Sequence, residues 1–220
     1  MEYRIDEKRV YICRGIPASG KSTWSRAFAK QYPRQIVRLS NDDVRRMMGA
    51  YWIPIREPLV KKTKQEAVRI ALDSGYSVIA DDMNLNQCQI NATVNAAIKG
   101  WNTYTQRKHD DDTLFILRVI HVDFPVDLDT AIARDANRHG DEHIGADVIR
   151  MNYDRYHDVV QSGDSYPVFR QTAFLTYCTK AAKDKYPQIM DHGQFNNPTV
   201  EILSKIPISD DPKKTRINRI

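Results

Sequence analysis

Apolar and polar positions follow two rhythms along the chain, unbroken short runs and helically spaced stretches. Val10-Tyr11-Ile12-Cys13 reads as a buried strand entering a glycine-rich turn, after which residues 22–30 carry helical spacing. Residues 35–39 read as a second strand. Asp42 and Asp43 are placed to cap a short helix that runs to Met48 and stops at Gly49. Residues 51–58, with two prolines, are expected to be irregular. Residues 59–73 suit a helix with Val60, Ala67, Ile70 and Ala71 on one face, and Gly75 ends it before the strand Ser77-Val78-Ile79-Ala80. Residues 87–99 suggest a helix and residues 114–122 a fourth strand. Two further helices, 128–138 and 146–159, flank the turn His139-Gly140-Asp141-Glu142-His143. This alternation predicts an α/β fold with a parallel sheet of about four strands covered by helices on both faces.

After Gly163 the pattern weakens. Residues 169–182 are expected to form one more helix, Pro187, Pro198, Pro207 and Pro212 interrupt the remainder of the chain, and residues 211–216 have the composition of a tail. The chain therefore divides into a principal domain over residues 1–160 and a partly helical or irregular extension over residues 161–220. A chain of 220 residues can bury a core of its own without disulfides or structural metal. Its 41% hydrophobic and 28% charged content is that of a soluble protein, and no run is long enough to span a bilayer. The charged N-terminus lacks the apolar stretch of a signal peptide, so a cytoplasmic location is expected. Cys13, Cys88 and Cys178 lie far apart, without disulfide or zinc spacing. A net charge of +5 is compatible with a polyanionic partner and does not by itself indicate one.

Chemistry enters with Gly15-Ile16-Pro17-Ala18-Ser19-Gly20-Lys21-Ser22, which fits GxxxxGK[ST] between an apolar strand and a helix. Backbone amides of such a loop wrap a polyphosphate, Lys21 reaches the β and γ phosphates, and the Ser22 hydroxyl ligates Mg²⁺. Residues 15–23, ending at Thr23, are thus expected to bind ATP and magnesium. Two acidic pairs, Asp42 with Asp43 and Asp81 with Asp82, come just after strands and so fall on the crevice where ligands bind an α/β sheet. One carboxylate there can take a proton from an acceptor, and another can join the magnesium shell or orient an arginine. Plainer readings also stand, helix capping for Asp42-Asp43 and turn formation for Asp81-Asp82. Arg134 and Arg138, four apart beside a glycine-containing turn, suit either a lid over the γ-phosphate or a solvated basic face.

Several motifs in order resemble the polynucleotide 5′-hydroxyl kinases found in phage end-healing enzymes. Gly20-Lys21-Ser22-Thr23-Trp24 is similar to the GKSTW of that family, Asp42-Asp43-Val44-Arg45 to its block of two aspartates with an arginine three residues after the first, and Asp82-Met83-Asn84-Leu85-Asn86 to its DTNLN block. Asp123-Phe124-Pro125 opens a segment ending in Arg134 and Arg138, and residues 146–153 look like the helix after the family's lid. The resemblance covers about residues 9–157. It implies a P-loop NTPase fold of the adenylate-kinase type with an arginine-bearing lid. It also implies Asp42 as general base toward a 5′-hydroxyl, Arg45 on the acceptor's 3′-phosphate group, Asp82 as needed for activity on the acceptor side, Arg138 on the transferring phosphate, and Arg134 as a second lid arginine. Met83 stands where the family usually has threonine.

The function implied is ATP-dependent phosphorylation of the 5′ end of RNA or DNA in end healing or repair, in the host cytoplasm for a phage-encoded chain. Two other readings remain open on the residues, a kinase of a nucleoside, sugar or antibiotic, and a non-catalytic protein that binds nucleotide and nucleic-acid ends. No DxDGT motif occurs, so no 3′-phosphatase activity is expected. Residues after 163 could dock on the core, bind nucleic acid or mediate homo-oligomer formation.

Overall fold

The computed structural model describes residues 4–108, 110–160 and 167–185. Expectations for residues 187–220, including the proline-broken segment and the tail at 211–216, fall outside these. In chain order the elements are β1 (Arg4–Arg14), α1 (Lys21–Gln31), β2 (Ile36–Leu39), α2 (Asn41–Met47), α3 (Glu57–Asp73), β3 (Ser77–Asp81), α4 (Gln87–Lys108), β4 (Thr113–Asp123), α5 (Leu128–Ala136), α6 (Ala146–Val160), β5 (Val168–Tyr177) and α7 (Lys180–Lys185). Single 3₁₀ turns at Pro54–Arg56 and Gly140–Glu142 lie before α3 and α6. Among the described residues no helix is long and apolar enough to cross a membrane.

The sheet runs in the order β2-β3-β1-β4-β5. The first four strands are mutually parallel, with Val10 opposite Val78 on one side of β1 and Val119 on the other. Alternate residues of β1 feed two cores, as the two-residue strand period requires. Val10 and Ile12 pack with Val68 and Leu72 of α3 and Ile90, Ala97 and Trp101 of α4. Tyr11 and Cys13 face the other way, onto Phe28 of α1 and the half-buried Trp24. Trp24 is stacked on Phe28 with ring centroids 4.9 Å apart, so the tryptophan of the GKSTW segment is a packing residue.

Three elements differ from the expectation. The spacing predicts one helix over residues 169–182, yet Val168–Tyr177 is a fifth strand, antiparallel to β4, and only Lys180–Lys185 is helical. The physical reason is the β-branched and aromatic content of Val168-Phe169-Arg170-Gln171-Thr172-Ala173-Phe174-Leu175-Thr176-Tyr177. Ala173, Leu175 and Tyr177 lie on one face and pack on the larger core, while Phe174 lies on the other. Strand β1 begins six residues before the apolar run, because its charged half finds partners in place. Arg118 of β4 meets Glu7 at 2.8 Å, Lys8 meets Asp6 at 2.7 Å, and Tyr104 Oη donates to Asp6 at 2.5 Å. Helix α4 continues past Lys99 through Gly100, where it presses on α3. A Cβ at Gly100 would stand 2.1 Å from the Arg69 carbonyl oxygen.

That contact makes a clear test. Gly100→Ala must push two helices apart, at a cost of about 1–3 kcal/mol. The thermal midpoint should fall by roughly 3–10 °C, and an unchanged melting curve would show that the helices do not meet this closely.

Candidate nucleotide and acceptor site

The loop from Gly15 to Ser22 joins the carboxyl end of β1 to the start of α1. Gly15 has no room for a side chain, since a Cβ would lie 2.7 Å from Ser19 Oγ and 2.9 Å from the Phe124 carbonyl oxygen. Gly20 caps α1 at φ 99°, a left-handed conformation that leaves the first amides of the helix turned outward and free of side-chain caps. Residues 15–19 are buried. Ile16 and Ala18 pack with Leu85 and with Ala131 and Ile149 of α5 and α6. The loop's own contribution to a ligand is therefore backbone, together with Lys21 and Ser22. Thr23 is exposed on α1.

Lys21 Nζ donates to the Ile16 carbonyl at 2.6 Å and to Ser19 Oγ at 3.2 Å. Burial pushes its pKa down to about 8; the charge of Asp81 pulls it up, and that of Arg138 lowers it further. A desolvated ammonium held by neutral oxygens is short of counter-charge, which a polyphosphate supplies. Ser22 Oγ donates to Asp81 Oδ1 at 3.3 Å. A hydroxyl beside a carboxylate is a hard-oxygen donor set and fits Mg²⁺.

The second acidic pair splits in function. Asp81, 3% exposed, also accepts from Ser25 Oγ at 2.7 Å and from the Arg38 guanidinium at 2.6 and 2.8 Å. Arg38 in turn pairs with Asp43. Burial alone would lower the Arg38 pKa, and the charge of Asp81 raises it above the ordinary value. Asp82 points away from this network, accepting the Asn41 amide at 2.9 Å and Lys64 Nζ at 2.5 Å. Asn84, buried and at φ 45°, donates its side-chain amide to the carbonyls of Cys13 and Ala80 at 2.8 and 3.0 Å, while the Gly15 amide donates to the Met83 carbonyl at 3.1 Å. These bonds fix the segment after β3 against the phosphate-binding loop.

Helix α2 is capped by Ser40, whose hydroxyl accepts the Asp42 amide at 3.1 Å, rather than by Asp42 and Asp43 as the sequence suggests. Both aspartates stand in the first turn with their carboxylates outside the cap. Asp42 is 44% exposed at its side chain and accepts from Arg45 Nη1 at 2.5 Å. Arg45 also forks onto Glu57 at 2.8 and 2.7 Å, and this hydrogen-bonded pairing holds the Glu57 pKa below its ordinary value.

Arg134 and Arg138 do not share a helix. Helix α5 ends at Ala136, leaving Arg134 exposed in its last turn and Arg138 in the loop beyond, where its amide donates to the Asp135 carbonyl at 2.9 Å. Asp135 organises this loop. Its buried carboxylate accepts the amides of Ile144 and Gly145 at 3.1 and 2.8 Å. Glu142 links the loop to the rest of the site, lying 3.2 Å from Arg46 of α2 and 3.9 Å from Arg26 of α1. Lys21, Ser22 and the Arg138 charge thus converge, Asp42 and Arg45 stand together on α2, Asp82 reaches them through the α2 backbone, and Arg134 stays apart.

Asn84 belongs to the block matched to DTNLN without being assigned a role there, and Arg38, Lys64 and Asp135 have no motif to mark them. A polar residue inside an apolar strand, as at Arg38, is the one available signal.

Residues 10–163 match the family described as AAA domain. The chain belongs to that family of P-loop NTPases. Several solved structures also align with the chain. A chain of the Pnkp1/Rnl/Hen1 RNA repair complex aligns at 21% identity and a TM-score of 0.47, over 76% of this chain and 49% of its own. This AAA-domain protein therefore spans about half the length of that one. A gluconokinase from Sinorhizobium meliloti 1021 aligns at 14% identity and a TM-score of 0.40, over 72% and 77% of the two chains. Shikimate kinase from Acinetobacter baumannii aligns at 17% identity and a TM-score of 0.35, over 84% and 91%.

The Lys64–Asp82 pair is nearly dry, Lys64 being 4% exposed. Lys64→Met should cost roughly 1–3 kcal/mol by leaving the partly buried Asp82 carboxylate without its cation. Adding Asp82→Leu should recover most of the loss in urea unfolding; an additive double variant would mean the two groups are not coupled.

Proposed function

We propose that this AAA-domain protein transfers the γ-phosphate of ATP to the 5′-hydroxyl end of a polynucleotide, RNA or DNA, in end healing. The observation that carries the reading is the contrast among the carboxylates past β2 and β3. Asp81 is buried and Asp82 partly buried, both committed to cations and to hydroxyls or a backbone amide, and Asp43, as open as Asp42, is held by Arg38 and Arg46, whereas Asp42 is half open with Arg45 beside it. A base must reach solvent-borne substrate, and Asp42 has that access.

In this reading the 5′-hydroxyl oxygen attacks the γ-phosphorus in line. Its proton passes to the Asp42 carboxylate as the new O–P bond forms, and the bond to the β-phosphate oxygen breaks to release ADP. Lys21 and Arg138 offset negative charge on the β and γ phosphates, the backbone of residues 15–20 cradles them, and Arg134 closes from the lid side. Ser22, next to Asp81, would hold Mg²⁺, which when bound neutralises charge on the phosphates. Arg45 receives the phosphate adjoining the acceptor nucleotide. Asp82 serves the acceptor side by holding the start of α2, the helix that carries both Asp42 and Arg45.

The deciding assay is transfer of labelled γ-phosphate, with magnesium, to a 5′-hydroxyl oligonucleotide, run beside nucleosides and sugars. Oligonucleotide labelling that is lost in Lys21→Ala supports the proposal; labelling of small acceptors alone refutes it. Asp42→Asn should lower kcat by a factor of roughly 10²–10⁴ with ATP affinity intact, and wild-type turnover in that variant would remove Asp42 as the base.

A further inference from the structure

The segment between α2 and α3 exposes more apolar surface than any part of the proposed chemistry uses. Met47, Trp52, Ile55 and Leu59 are 71, 61, 88 and 54% exposed, and all lie within this stretch or at its two helical borders. Large side chains left in water this close together mark a surface that meets something. Arginine and aromatic rings also occur in protein interfaces, and here the cations around them give the stretch a charge that a polyanion complements. The Arg45 guanidinium lies 5.1 Å from the Trp52 ring and 5.9 Å from the Tyr51 ring, and that of Arg46 lies 5.4 Å from Tyr51. Aromatic rings interleaved with guanidinium groups are the arrangement on which unpaired nucleobases stack while their phosphates are neutralised. Arg56, Lys61 and Lys62 continue the positive charge along the start of α3. The nearby carboxylates are each matched by an arginine: Asp42 and Glu57 by Arg45, and Asp43 by Arg38 and Arg46.

Position narrows the occupant. The Arg45 guanidinium stands 5.1 Å from the Trp52 ring centre and donates from Nη1 to Asp42 Oδ1 at 2.5 Å, so the exposed indole is one guanidinium away from the proposed base. Tyr51 closes the same corner. Burial, followed by the Asp42 charge, pushes its phenol up to about 12, which keeps it a proton donor toward that carboxylate.

We propose that Trp52, backed by Arg45 and Tyr51, is a stacking platform for an unpaired nucleobase near the 5′ end of a single-stranded acceptor. This rests on the polynucleotide reading above and adds to it that the strand is held by an aromatic face outside the catalytic groups. Stacking tolerates any base, so the platform selects single strands without selecting sequence.

The test uses the full chain without ATP. Trp101 is 3% exposed and Trp24 is half-buried against Phe28, so the part of the emission that is lost in Trp52→Phe reports on Trp52. Oligothymidylate with a 5′-hydroxyl should quench it saturably. By anisotropy of a labelled oligonucleotide, Trp52→Ala should weaken binding roughly tenfold and Trp52→Phe far less, with ATP affinity unchanged in both, and the KM for oligonucleotide should rise in parallel. If the wild type phosphorylates oligonucleotide and Trp52→Ala alters neither affinity nor KM, the platform is wrong and the kinase reading stands. If the wild type neither binds nor phosphorylates oligonucleotide, both fall. Self-association in sedimentation that Trp52→Ala abolishes and oligonucleotide does not compete would make the patch an interface between copies and overturn the proposal.

Discussion

Around the buried carboxylate of Asp81 the parts of the site are held in register. A charge removed from water at the end of a central strand requires matched partners, and without them it destabilises the fold by several kcal/mol. Asp81 has Ser22 and Ser25 from the first turns of α1 and Arg38 from β2, and Arg38 extends the connection to Asp43 on α2. One carboxylate thereby positions the helix after the phosphate-binding loop relative to α2, which carries Asp42 and Arg45. The neighbouring residue works on the opposite side, where Asp82 joins Lys64 of α3 to the Asn41 amide of α2. Two adjacent aspartates, the last residue of β3 and the one after it, thus tie α2 down through different partners.

The phosphate-binding loop is held by apolar packing as much as by its glycines. Ile16 and Ala18 are inserted among residues of α5 and α6, so the loop and the lid helices share a small core separate from those on the two faces of the sheet. The lid loop is braced internally by Asp135 and externally by Glu142 against Arg46 and Arg26. Exposed ion pairs such as those of Glu142 contribute little stability, on the order of 0–1 kcal/mol. The buried Asp135 bonds define the shape of the loop itself.

The sequence determined the identity of the nucleotide loop and the α/β alternation, because both are local. GxxxxGK[ST] needs only a strand before it and a helix after it, and unbroken apolar runs such as Val10-Tyr11-Ile12-Cys13 mark strands covered on both faces. The strand β5 escaped the sequence because its residues are all half-buried at a sheet edge, where neither period stands out. The charged half of β1 escaped because its partners, Arg118 and Tyr104, are more than ninety residues away in the chain. Tertiary structure alone decided the surroundings of each aspartate. Asp42, Asp43, Asp81 and Asp82 are chemically identical, and only the folded surroundings leave Asp42 open while tying Asp81 and Asp82 to Arg38 and Lys64. The same holds for Ser40 as the cap of α2 and for Arg138 outside α5, since side-chain competition for a helix end and the point at which a helix stops depend on neighbours that a linear pattern does not contain.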